Sequence, residues 1–195
     1  MKRAFDLITS VTGLIVLAPL LLVIASVTVL SDGFPILFKQ ERTGRHGRRF
    51  NILKFRTMTN KTSDDGRQFN AGDNSRVTRF GHLLRKSKLD ELPQLLNVLS
   101  GDMSVVGPRP EVPYWTDAFA ERWEKVLHVR PGITDPASIE FRHEEDILAQ
   151  SLDPDRTYAE KILPRKLDLY EQYTREHSMT GDLWIILRTI KEIVK

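Results

Sequence analysis

A chain of 195 residues and 22.4 kDa has room for one ordinary domain with an appendage, and not for two large ones. Hydrophobic residues make up 41% and charged residues 28%, enough for a core and against bulk disorder. The absence of cysteine excludes a disulfide framework, thiolate metal sites and a cysteine nucleophile. The net charge of +3 hides an asymmetry: residues 1–38 balance, residues 39–88 hold 14 Lys and Arg against 4 acids, and residues 89–195 hold 13 against 20. A basic field directly after an apolar segment suggests anionic lipid headgroups, a phosphorylated substrate or nucleic acid, with a merely solvated basic face as the plain alternative.

The apolar segment comes first in chain order. From Leu7 to Ser31 there are 25 residues without a charge, 17 of them hydrophobic. The run exceeds the ~7–15-residue core of a signal peptide, Asp6 precedes it, and a good small-x-small cleavage site is missing. Its length suits a spanning helix of about 20 residues. Pro19 complicates this, because it removes a backbone donor and clashes with the preceding turn. Cations favour the cytoplasmic side, and they flank both ends: Lys2 and Arg3 before, Lys39, Arg42, Arg45, Arg48 and Arg49 after. A helix broken at Ala18–Pro19, entering and leaving by one face, satisfies both flanks. Residue physics alone leaves this re-entrant arrangement and a kinked span both open.

Residues 34–58 read as two strands around a Gly44–Gly47 turn. In the second, a period of two puts Ile52, Lys54, Arg56 and Met58 on one face, so Lys54 and Arg56 are neighbours that repel unless an anion joins them. Residues 59–75 form a polar loop suited to covering a site. Arg76 to Ser87 reads as a basic helix. Pro93 then needs the first turn of a helix, which places Asp90 at or near its N-cap and Glu91 at its first position, with Leu92, Leu95, Leu96 and Leu99 as the buried stripe. Gly101 to Pro110 is a short strand into a rigid turn whose two prolines hold Arg109. Asp117–Leu127 reads as one amphipathic helix. Arg130–Thr134 is a turn into extended chain ending at Arg142, Glu144-Glu145-Asp146 a solvated helix start, and Tyr158–Glu176 a helix. The last helix carries Leu183, Ile186, Leu187, Ile190, Ile193 and Val194, and suits core packing or a membrane surface.

No P-loop, dinucleotide fingerprint, zinc spacing or nucleophile elbow is present, and His46, His82, His128, His143 and His177 are scattered. What remains is a carboxylate pair at a helix start, arginines held by turns, and a membrane segment. Adjacent carboxylates preceded by Arg85 suit phosphate chemistry, in which cations neutralise the charge that a carboxylate meets on attacking a diphosphate. The residues alone leave open a plain helix-capping role for the pair.

Three strings carry a resemblance: Lys54-Phe55-Arg56-Thr57-Met58, Leu84-Arg85-Lys86-Ser87-Lys88-Leu89-Asp90-Glu91-Leu92-Pro93-Gln94, and Gly101-Asp102-Met103-Ser104-Val105-Val106-Gly107-Pro108-Arg109-Pro110. With the opening Lys2-Arg3-Ala4-Phe5-Asp6-Leu7 and the turn Arg130-Pro131-Gly132-Ile133-Thr134, they resemble the bacterial sugar transferases, monotopic phosphoglycosyl transferases that start glycan assembly on undecaprenyl phosphate. The resemblance covers essentially the whole chain, in its minimal form. It implies an α/β fold of the α+β kind. A proline-broken re-entrant membrane helix (residues 1–33) would pack on a cytosolic, membrane-associated catalytic domain (residues 34–195) with short strands and amphipathic helices, at the cytoplasmic face of a bacterial inner membrane.

The resemblance further implies a two-step reaction. Asp90 attacks a UDP-sugar, releases UMP and holds the sugar phosphate covalently; polyprenyl phosphate then displaces it. Glu91 matches the family's Mg2+ partner, and Lys54, Arg56, Arg85, Arg109, Arg142 and, more weakly, Asp168 fall at or near phosphate-binding and active-site positions. Implied partners are the UDP-sugar, polyprenyl phosphate, membrane lipids and downstream glycosyltransferases, with no nucleic acid and a homodimer left open. One departure bears on Arg142: Asp135 stands where many members have Gly, within Asp135-Pro136-Ala137-Ser138-Ile139-Glu140-Phe141-Arg142, which adds a charge near the expected phosphate site and bears on sugar choice. The alternatives are a catalytically silent family member and a basic membrane-anchored scaffold or lipid- or nucleic-acid-binding module.

Overall fold

A computed structural model describes residues 1–59 and 76–194 of the chain, so the polar loop expected at residues 59–75 lies almost wholly outside the described residues. The apolar run forms one helix, α1 (Lys2–Asp32), with Pro19 inside it. The interruption expected at Ala18–Pro19 is therefore not a break in helical structure: a proline deletes one i→i−4 bond and crowds one carbonyl, which a helix with its other bonds intact can carry. Asp6, Ser10, Ile24 and Thr28 are buried along one face of α1, and a Cβ on Gly13 would lie 3.3 Å from Leu95 Cδ1. Ile8, Val11, Ile15, Val16, Leu22 and Val23 project outward. By length and composition α1 is apolar enough to cross a membrane.

β1 (Leu37–Thr43) and β2 (Arg49–Phe55) pair antiparallel, Leu37 opposite Phe55 and Thr43 opposite Arg49, around a turn where His46 and Gly47 take positive φ. α2 (Arg79–Lys86) is N-capped by Thr78, whose Oγ1 accepts from the Gly81 N–H at 2.9 Å. α3 (Gln94–Ser100) leads to β3 (Ser104–Val106). α4 (Pro113–Ala118) and α5 (Ala120–Val126) follow, the single helix expected at 117–127 being divided where Phe119 takes φ −121°, ψ 38°. β4 (Gly132–Thr134) pairs parallel with β3. The extended chain expected as far as Arg142 gives way to α6 (Pro136–Glu140), because Pro136 suits a first helical position and the Asp135 carboxylate caps the helix through the Ser138 N–H at 2.8 Å. Asp135 itself is extended (φ −160°), so its backbone needs no glycine. α7 (Glu144–Ala149), α8 (Pro154–Thr157), α9 (Leu163–Glu176, after a π turn at Tyr158–Ile162) and α10 (Met179–Val194) complete the described chain.

Three clusters hold these elements together. Trp115, Trp123, Tyr158, Leu163, Leu167 and Tyr170 join α4, α5 and α9; Phe50, Ile52, Val98, Met103, Val106 and Tyr173 lie under the hairpin; Ile24, Phe55 and Leu84 lock α1 to β2 and α2. Full burial of each such side chain contributes about 1.5–3 kcal/mol. The leucine stripe expected in α3 is different: Gln94, Leu95, Asn97 and Val98 face inward, while Leu96 is 43% exposed. α10 packs through Asp182, Ile185 and Ile186 and leaves Leu183, Trp184, Leu187 and Ile190 exposed, so it has one packed face and one open apolar face.

Both ends of α1 rest on this one domain. At its start, Arg3 donates to the last carbonyls of α3, Val98 at 2.7 Å and Leu99 at 3.2 Å, and the buried Asp6 carboxylate accepts from Ser104 Oγ and the Val105 N–H. At its end, Arg56 donates to the carbonyls of Asp32, Gly33 and Phe34.

Candidate active site

After α2 the chain reverses through Lys88, which takes φ 57°, into a single 3-10 turn, Leu89–Glu91. Asp90 and Glu91 lie in this turn, and α3 starts at Gln94 with Pro93 as its cap, three residues later than the N-cap expectation for Asp90. The turn closes its own short bonds, Glu91 N–H to Lys88 O and Leu92 N–H to Leu89 O, and Pro93 falls where a missing N–H is harmless.

Two segments converge on Glu91. Lys54, near the end of β2, donates to Oε1 at 2.8 Å. Arg109, between Pro108 and Pro110, donates from Nη1 to Oε2 at 3.2 Å and from Nη2 to Oε1, a two-pronged grip. Burial alone would push the Glu91 carboxyl up, but Arg109 and then Lys54 overcome it and hold it well below the usual carboxylate range. Glu91 in turn raises Arg109 well above its ordinary value. For Lys54, burial outweighs Glu91 and lowers the ammonium pKa.

Asp90 is the opposite case. It is 6% exposed, and its Oδ1 has no hydrogen-bond partner among the described residues. Burial pushes its carboxyl up, Lys54 opposes this, the neighbouring Glu91 charge adds to it, and the net displacement is upward. Two adjacent carboxyls are thus driven apart, one held firmly as an anion and the other left with one buried oxygen that has no partner among the described residues. A reaction that needs the Asp90 anion is expected to show an acid limb displaced above the ordinary aspartate value of about 3.9. The pH dependence of kcat/KM checks this, and a limb at or below that value contradicts it.

The other expected residues are placed as follows. Arg56 lies just beyond the end of β2, and the bonds described above take it to the end of α1, whereas Lys54 turns to Glu91. Arg85 donates from Nε to Thr57 Oγ1 at 3.0 Å and pairs with Glu145 at 3.7 Å. Arg142 pairs with Glu192 of α10 at 3.3 Å. Asp168 on α9 accepts from Arg122 Nη2 at 2.7 Å. The cluster is therefore Lys54, Asp90, Glu91 and Arg109, and among the described residues no hydrogen bond or ion pair ties Arg142 or Asp168 to it. The acid run is a helix start, though Glu144 pairs with the buried Lys166 rather than with solvent alone.

Gln94 escaped the sequence reading. It is 1% exposed, one turn beyond Asp90, and neither end of its amide has a partner among the described residues. Its signal was an amide between Pro93 and Leu95 at the start of α3. Asp135, fully buried beside Ser138, carries a carboxyl that burial pushes up.

The chain belongs to the bacterial sugar transferase family, whose model matches residues 1–195. Among its relatives is the "Uncharacterized sugar transferase EpsL" of Bacillus subtilis, 42% identical over 73% of this chain and 70% of that protein. The UDP-N-acetylgalactosamine-undecaprenyl-phosphate N-acetylgalactosaminephosphotransferase of Aeromonas hydrophila is 35% identical over 99% of this chain. The UDP-glucose:undecaprenyl-phosphate glucose-1-phosphate transferase of Caulobacter vibrioides is 36% identical, also over 99%. The chain spans 43% of the Aeromonas protein and 69% of the Caulobacter protein.

Proposed function

We propose that this chain moves a sugar-1-phosphate from a UDP-sugar to polyprenyl phosphate, with Asp90 as nucleophile and UMP as the first product. The observation that carries the reading is the buried, unpaired Asp90 oxygen beside a Glu91 already neutralised by Lys54 and Arg109. A scaffold has no use for it, since an unsatisfied buried polar atom costs about 1–3 kcal/mol. The relatives' names, with UDP-sugars and undecaprenyl phosphate in them, support the donor and acceptor classes; they differ in the sugar, so they do not choose one.

In the first step an Asp90 carboxylate oxygen bonds to the sugar-bearing phosphorus as the phosphoanhydride bond breaks and UMP leaves with the electron pair. In the second, an oxygen of polyprenyl phosphate bonds to the same phosphorus and Asp90 leaves as its carboxylate. Each step brings an anion to an anion, which costs about 4 kcal/mol at 4 Å and intermediate dielectric. Lys54 and Arg109 supply fixed positive charge against it, and the Arg109 fork matches a phosphate as it matches Glu91. Lys88 adds to the field at both carboxyls.

The carboxylates fit a Mg2+ ion, which takes one or two protein carboxylates with the rest of its ligands from substrate phosphate and water. Among the described residues Asp90 Oδ1 has no partner and Glu91 Oε2 accepts only from Arg109 Nη1, which leaves both oxygens capacity. Bound there, Mg2+ would neutralise phosphate charge.

The contacts of both α1 ends with one domain support a re-entrant α1 whose two ends lie on one side of the membrane although its helix runs on through Pro19, with the catalytic domain at the cytoplasmic face and the open face of α10 toward lipid. Enzymes that extend the lipid-linked sugar are the partners this product requires. Ala4 is exposed, so Ala4→Cys in a chain without other cysteines is expected to be labelled from the cytoplasmic side only; labelling from the outside would contradict the re-entrant arrangement.

The test of the activity is UMP release by the purified protein in nanodiscs with Mg2+, undecaprenyl phosphate and a panel of UDP-sugars. Release with one preferred sugar is expected; silence across the panel from folded protein would contradict the reading.

A further inference from the structure

Arg42 sits in β1, and its guanidinium is half-buried rather than free in solvent. Its Nη1 donates to the Pro110 carbonyl and to Glu111 Oε1, both at 3.2 Å, and its Nη2 donates to Gln40 Oε1 at 2.6 Å. Glu111 is gripped from further sides. Its Oε1 accepts from its neighbour's N–H, that of Val112, at 2.9 Å, and its Oε2 accepts from the Tyr158 hydroxyl. Its own carbonyl accepts from the Thr43 N–H at 2.9 Å. Tyr158 is itself fixed, 5.2 Å from the Trp115 ring, with Lys166 Nζ 5.0 Å over its face. On the other side of Arg109, the Pro108 carbonyl accepts from the Gly132 N–H at 2.9 Å. A Cβ on Gly132 would overlap the Gly107 backbone, so this approach is open only to glycine.

Prolines fix φ but leave ψ free, so Pro108 and Pro110 alone do not orient Arg109. The hydrogen bonds to the carbonyls of Pro108 and Pro110 supply what the rings cannot. A buried ion pair is in itself weak evidence for stability, because desolvation offsets its attraction. A pair retained directly behind Arg109 therefore calls for a geometric role.

We propose that Glu111, held by Arg42 and Tyr158, is a positioning residue: it fixes the Pro108–Pro110 turn so that the Arg109 guanidinium stays on Glu91 and faces the substrate diphosphate. The inference rests on the proposed function for that diphosphate. It acts through Arg109 alone, so its effect on rate disappears when Arg109 is gone.

The experiment is a pair of double-mutant cycles on UMP release, Glu111→Gln with Arg109→Ala and Tyr158→Phe with Arg109→Ala, using the sugar donor that the panel selects. With Arg109 present, Glu111→Gln is expected to lower kcat about 10- to 100-fold and Tyr158→Phe about 3- to 10-fold. In the Arg109→Ala background each is expected to change kcat less than about twofold. The same factor in both backgrounds, or no effect in either, overturns the inference and leaves the proposed function standing. If Glu111→Gln does not fold, Tyr158→Phe decides, since it removes one hydroxyl and keeps the ring. A wild-type protein that releases no UMP with any donor fails the proposed function, and the positioning role falls with it.

Discussion

Asp90→Asn is expected to abolish turnover and raise thermal stability in the same protein. The amide is close in shape but has no charge to bond to phosphorus, so UMP release should fall about 10^4-fold or more. Stability moves the other way because the folded protein raises the Asp90 pKa, chiefly through burial. A group raised on folding contributes full stability below its unfolded pKa, about 3.9, and loses it as pH rises through the folded value. At neutral pH the ionised carboxylate is therefore a cost that asparagine removes. The gain in Tm should be largest at neutral pH and vanish near pH 4. Melting curves of both proteins across pH check this, and a lower Tm for Asp90→Asn at neutral pH would contradict the geometry of the site.

Glu91→Gln is expected to have the opposite effect on stability. It leaves Lys54 and Arg109 close together without their shared counter-charge. Breaking a buried pair costs about 3–5 kcal/mol, and the partial exposure of both cations argues for the lower end, about 3 kcal/mol. For a chain of this size that is a fall of roughly 6–12 °C in Tm. The sign with pH is also reversed. Glu91 is depressed on folding, so its contribution is present above the unfolded value of about 4.3 and is lost as pH falls through the folded value. The two neighbouring substitutions should thus shift Tm in opposite directions at neutral pH. A Glu91→Gln protein as stable as the wild type would show that Lys54 and Arg109 do not depend on it.

The local parts of this arrangement could be read from the sequence, and the distant ones could not. The length of α1, the β1–β2 hairpin and α2, expected at Arg76 to Ser87 and found at Arg79–Lys86, follow from apolar run length, alternation and local pattern, all of which act within a few residues. The place of Asp90 and Glu91 before a proline-led helix was readable to within a turn. The division at Phe119 and the α6 helix after Asp135 were not, because periodicity does not show which turn a cap or a packing contact will close. Least legible were the partners of the cations. Lys54 and Arg56 are two residues apart and share a strand pattern, yet one meets Glu91 and the other the end of α1, since β2 ends at Phe55. Glu111 drew no notice in the sequence because its meaning depends on Arg42 and Tyr158, 69 and 47 residues away.

The most direct measurement is the intact mass of the protein mixed with Mg2+ and its UDP-sugar in the absence of polyprenyl phosphate. The expected result is one sugar phosphate added per chain, mapped to Asp90, released on addition of polyprenyl phosphate and absent from Asp90→Asn. UMP release by the wild type without such an adduct, or an adduct that persists in Asp90→Asn, would contradict Asp90 as the nucleophile.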